Sequence, residues 1–175
     1  QTQCEESGVY HIMTQIPGEE GMLVDTGSWS NLSGGDAIKR QDQLAKRYGL
    51  RVKYTPMAKP KKVSGVGDNS KVCTNSARVP ACLESGRVIE YDTPVIDGDP
   101  SPVPTLLGLD SMAQRNTYFG CANGLMAMIP EGTDDQIVWP QGTEFVQCKK
   151  APSKHWLMTV SDWDKREPET PSLHT

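Results

Sequence analysis

The chain has 175 residues, enough for one domain with a real core, of which 36% are hydrophobic and only 6% aromatic. A net charge of -4 excludes the clustered basic footprint of a nucleic-acid binder, and no apolar run approaches the ~18 residues that a membrane-spanning helix needs. Gly (16) and Pro (13) are plentiful, so many turns and short strands are expected around a core of Val, Leu, Ile and Met.

In chain order, residues 9–16 alternate apolar and β-branched positions and are expected to form a strand, followed by a turn at Pro17-Gly18-Glu19-Glu20-Gly21. Met22-Leu23-Val24 is a short apolar run, as in a buried strand, and stops at the polar Asp25-Thr26-Gly27-Ser28. Residues 36–48 carry Ala37, Ile38, Gln41, Leu44, Ala45 and Tyr48 at helical spacing. Asp36 is expected to cap that helix and Gly49 to end it. A proline- and lysine-rich loop is expected over 55–62, with Lys59-Pro60-Lys61-Lys62 as a solvated charge run. Strand-like text leads to Leu83, a turn follows at Glu84-Ser85-Gly86-Arg87, and a strand over 88–96 is expected to end near Pro94. Leu106-Leu107-Gly108-Leu109-Asp110 is a second apolar run ending in a carboxylate, and a short helix over 111–116 capped by Asp110 is expected. Later strands are expected at 125–129, 144–148 and 156–160, and residues 165–175 as an extended tail.

The cysteines are Cys4, Cys73, Cys82, Cys121 and Cys148. They stand at no zinc-ligand spacing, so neither a metal nor another cofactor is expected. Two arrangements stay open: free or buried thiols throughout, or pairing of Cys73 with Cys82 across a hairpin and of Cys121 with Cys148 across two late strands. His11, His155 and His174 are scattered, with no nucleophile elbow to serve. Asn31-Leu32-Ser33 fits a glycosylation sequon, but its place just after a polar loop argues against use. Trp29 is expected in the core, with a partner surface as the alternative. The chain opens on Gln1, as a processed product or part of a longer chain would; an organelle and the cytoplasm both fit.

Asp25 carries the chemistry. A single carboxyl group with an ordinary pKa near ~3.9 is a poor acid at neutral pH. Two forced together share a proton, and then one can activate water while the other protonates a peptide carbonyl. The run Met22-Leu23-Val24-Asp25-Thr26-Gly27-Ser28, the glycine-bearing Gly65-Val66-Gly67 and the later Leu106-Leu107-Gly108-Leu109-Asp110 occur in an order that resembles retropepsin-like aspartic protease domains of retroviral and retrotransposon type. The resemblance covers about residues 9–129.

That resemblance implies a mainly β fold: a closed acid-protease barrel with one or two short helices. It would occupy 1–130, followed by a β-rich extension packed on it over 131–164 and the tail 165–175. It implies Asp25 as the catalytic carboxylate. Thr26, Gly27 and Ser28 would support its loop, Thr26 through hydrogen bonds to its symmetry mate. Gly65, Val66, Gly67, Asp68 and Asn69 would form a mobile flap. Leu107, Gly108 and Asp110 would form the second glycine element, with Gly108 packed beneath the loop. The chain has one Asp-Thr-Gly, so activity on a peptide or polyprotein would need a homodimer. The alternative is a catalytically silent domain recruited as a structural subunit of a larger complex, with Trp139, Trp156 and Trp163 offering docking surface.

Overall fold

The computed structural model describes residues 16, 18–64, 70–98, 100–158 and 160. The expected strand before Ile16, the segment 65–69, the tail 165–175, Cys4, His11, His174 and Trp163 lie outside the described residues. The described chain is mainly β with two helices, and it divides into two compact units, one ending at Asp134 and the other beginning at Asp135.

In the first unit, β1 (Met22–Asp25) runs parallel to β6 (Thr105–Gly108), with Met22 beside Thr105 and Asp25 beside Gly108. The chain leaves Asp25, turns, and returns on the far side of β6, where Leu32 bridges Leu106 in antiparallel sense. Leu106 N–H donates to the Leu32 carbonyl at 2.7 Å, and Gly34 N–H to the Val103 carbonyl at 3.1 Å. β6 is thereby held on both edges. The returning chain continues as β2 (Ser33–Gly34), parallel to the end of β5 (Val88–Ile96). With β3 (Lys53–Val63) and β4 (Lys71–Cys82) these form a sheet ordered β2-β5-β4-β3. β7 (Thr117–Gly120) and β8 (Leu125–Met128) make a separate hairpin. None of these sheets closes on itself among the described residues, so the expected closed barrel is not seen there.

Helix α1 (Gly35–Lys46) lays its apolar stripe on β4 and β5: Ile38 packs with Ala77, Val79 and Val95. Tyr48, expected to extend that stripe, is 83% exposed because the helix has ended. Gly49 ends it as expected, with φ +75 and with Leu50 N–H bonded to the Ala45 carbonyl. Asp36 does not cap α1. It lies in the first turn and accepts Ser101 N–H at 3.0 Å, which pins the helix to the strand connection below it. A second core gathers Leu32, Cys73, Ile96 and Val103.

Three further expectations are corrected. Residues 55–62 are strand, not loop: they belong to β3, the outer strand of its sheet, where proline and lysine are tolerated. A register shift between Pro56 and Lys61 absorbs the misfit. β5 continues past Pro94, which faces Ser76. A proline suits the non-hydrogen-bonded position of an antiparallel pair, and on the other edge β2 pairs only with Val95 and Ile96. Residues 144–148 are not a strand; in the second unit the strands are β9 (Lys149–Lys150) and β10 (Trp156–Leu157), antiparallel to one another. Trp139 meets Phe145 edge-on at 5.7 Å in that unit, and Lys150 Nζ lies 5.3 Å from the Trp156 ring centroid.

Two predictions follow from α1. Ile38 is fully buried, so Ile38→Ala should cost about 2–5 kcal/mol in urea unfolding. Asp42 accepts the Val52 N–H and pairs with Lys46 and Arg51, which holds its carboxyl at about 2 instead of 3.8. A depressed carboxyl stabilises the fold fully above its unfolded value and loses that contribution as pH falls through the folded one. Acid titration of stability should therefore show a decline between 3.8 and about 2 that is flattened in Asp42→Asn.

Candidate functional site

The loop after β1 is held from beneath by three successive amides. Gly108 N–H donates to Asn31 Oδ1 at 2.9 Å. Leu109 N–H donates to the Ser28 carbonyl, and Asp110 N–H to the Trp29 carbonyl, each at 2.8 Å. The last two belong to the first turn of helix α2 (Leu109–Gln114), whose opening amides have no partner within the helix. The loop carbonyls take the place of a side-chain cap. Asp110 was expected to be that cap; it lies inside the first turn, and its carboxylate accepts Gln114 Nε2 at 3.0 Å.

Asn31 is the connecting piece. It is 5% exposed, accepts from Gly108, and donates through Nδ2 to the Asp92 carbonyl of β5 at 3.0 Å. One amide side chain therefore joins the loop, β6 and β5. Its burial also leaves the sequon without a reachable acceptor. Behind it, Ser33 Oγ lies 3.0 Å from Thr93 Oγ1 and 3.1 Å from Thr105 Oγ1 in the interior. These hydroxyls satisfy one another where an unpaired one would be costly.

Above these supports the tip of the loop faces outward. Asp25 is half-buried, and Thr26 and Gly27 are exposed. Asp25 Oδ1 accepts Gly27 N–H at 2.9 Å, which fixes the carboxylate to its own loop. Ser28 Oγ donates to the Ser30 carbonyl at 2.7 Å and stiffens the next turn. Trp29 is half-buried, between the core and surface positions considered for it. On the flank, Lys61 of β3 donates to Ser30 Oγ at 2.5 Å.

The structure thus brings Asp25, Ser28 and Gly108 together with Asp110, while Leu107 pairs with Val24 in the strand beneath. Residues 65–69 cannot be added to this group, being outside the described residues. The cysteines take no part. Cys73 and Cys82 stand on the same strand, β4, and so cannot face each other across a hairpin; both are free thiols, as are Cys121 and Cys148. Burial raises the Cys73 thiol above its ordinary range, helped by Asp97 and opposed by Lys61. Among the described residues no group of three or more His, Cys, Asp or Glu is placed to hold a metal ion, and no helix is long and apolar enough to cross a membrane.

Asn31 and Lys61 are the site residues that sequence reasoning passed over. Asn31 drew notice only as a sequon, although an asparagine six positions after Asp25 is well suited to bridge backbone groups. Lys61 sat inside a charge run. The chain matches no protein-family model, no curated protein and no solved structure.

A Cβ added to Gly108 would lie 2.6 Å from the Ser30 carbonyl oxygen and 2.8 Å from the Asn31 nitrogen. Gly108→Ala should therefore destabilise the protein by about 1–3 kcal/mol through overpacking. Asn31→Ala, which strands the buried Gly108 N–H, should cost about 1–3 kcal/mol. Chemical denaturation measures both.

Proposed function

We propose that this chain is a retropepsin-like aspartic endopeptidase domain that hydrolyses peptide bonds with the paired Asp25 carboxylates of a homodimer. The observation that carries the reading is the seating of the Asp25 loop on the amides of Gly108, Leu109 and Asp110. A mere turn aspartate has no need of such a foundation. A catalytic carboxylate does, because its reach to substrate must be set to a fraction of an ångström. The half-buried Asp25 and the exposed Thr26 and Gly27 also leave the loop tip open to a second copy.

In the dimer the two Asp25 carboxyl groups share one proton. The ionised group takes a proton from water as the water oxygen bonds to the scissile carbonyl carbon, and the protonated group gives its proton to the carbonyl oxygen. Collapse of the tetrahedral intermediate breaks the C–N bond: the departing nitrogen takes the pair's proton while one hydroxyl of the intermediate gives its proton back to the pair as the carbonyl re-forms, which restores the singly protonated pair. The retropepsin-like barrel belongs to the same proposal, since closing it requires more strand pairing than the described residues contain.

The alternative, a silent domain recruited as a subunit of a larger complex, draws on the exposed Trp139 and Trp156, which are 48% and 53% accessible. The two readings separate on one preparation. The protease reading predicts pepstatin-sensitive cleavage of peptides between acid and neutral pH, reduced about 10²–10⁴-fold in Asp25→Asn. Cleavage that is absent throughout that range, or unaffected by Asp25→Asn, would refute it.

A further inference from the structure

We infer that Lys61 and Ser30 form a carboxylate-reading subsite, so that the preferred substrates are peptides with an acidic side chain close to the scissile bond. The inference rests on the protease reading above and adds a substrate class to it. The chain is acidic overall, at -4, yet the flank of the Asp25 loop is cationic. Lys61 is half-buried and its Nζ donates to Ser30 Oγ at 2.5 Å, only five residues beyond Asp25. The register places Lys61 beside Cys73 and Val63 beside Lys71, so Lys61 and Lys71 share one face of the β3–β4 hairpin. That face also carries Val63 and the buried Cys73 into the core beside Leu32, which turns it toward the loop.

Neither lysine has an ion-pair partner among the described residues. Asp97, which acts on the Cys73 thiol as Lys61 does, has its carboxylate engaged by Thr74 through both N–H and Oγ1. An ammonium that is half withdrawn from water and, among the described residues, bonded only to a neutral hydroxyl is incompletely compensated. It retains two N–H donors. Ser30 Oγ, having accepted from Lys61, keeps its own proton. Together they present N–H and O–H donors side by side, which suits the two oxygens of a carboxylate. A lysine meant only to keep an outer strand soluble would point to solvent, as the exposed Lys59 and Lys62 do.

The test uses peptide pairs that differ only in Glu against Gln, or Asp against Asn, at successive positions flanking a cleaved bond. At one of those positions the wild-type chain should favour the acidic peptide by about ten- to a hundredfold in kcat/KM, chiefly through KM. Lys61→Met should bring that ratio toward one, and Lys61→Glu should turn the preference toward Lys. Lys61→Arg, which keeps the charge, should retain the acidic preference and serves if the other substitutions unfold the chain. Ser30→Ala should reduce the ratio in part. Cleavage that depends on Asp25 but ignores the acidic residue, or an acidic preference that survives in Lys61→Met, overturns the subsite and leaves the protease reading standing. Absence of any Asp25-dependent cleavage removes both.

Discussion

The close approach of Gly108 to the backbone of Ser30 and Asn31 is the constraint on which the rest of the site depends. With no Cβ at Gly108, the amides of residues 108–110 come near enough to bind the loop that follows Asp25. The parallel pairing of β1 with β6 fixes the height of that loop, and the antiparallel return of Leu32 along the other edge of β6 fixes its direction. Each bond is modest alone. A set of bonds that share partners behaves as a unit, because loosening one leaves buried groups unpaired at the next.

The same arrangement settles an electrostatic matter. Helix α2 begins directly under the loop, and its first amides are spent on the Ser28 and Trp29 carbonyls. They are therefore not directed at the Asp25 carboxylate, whose oxygen is bonded to the Gly27 amide instead. In the proposed mechanism its partner is a second carboxylate close by. In a chain with one Asp-Thr-Gly, that group comes from another copy. Dimerisation would supply the catalytic pair.

Much of this was legible in the sequence, and what was missed has a physical pattern. The strand before Asp25 and the helix with its terminal Gly49 declare themselves through local chemistry: an apolar run, and a 3.6-residue stripe closed by a glycine, whereas the packing of Gly108 was implied only by the resemblance. Asn31 and Lys61 do not. Asn31 acts on Gly108 and Asp92, which are 77 and 61 positions away, and Lys61 acts on Ser30 at a separation of 31. Contacts of that length are made by the crossing of β1, β6 and the returning chain, which no local periodicity encodes. The role given to Asp110 failed for a related reason. Asp is a good cap in isolation, but here the loop carbonyls already occupied the amides it would have served. Residues 55–62 were misjudged because proline and lysine mark an outer strand as readily as a loop.

The central claim is that one chain holds half of an active site. The direct measurement is the cleavage rate per chain as protein concentration is raised, with the solution mass recorded at each point. The account predicts that the rate per chain climbs with the fraction of dimer, levels off when the dimer is complete, and is lost in Asp25→Asn. A rate per chain that stays constant while the mass remains that of a monomer, or a fully formed dimer with no Asp25-dependent cleavage, would contradict it.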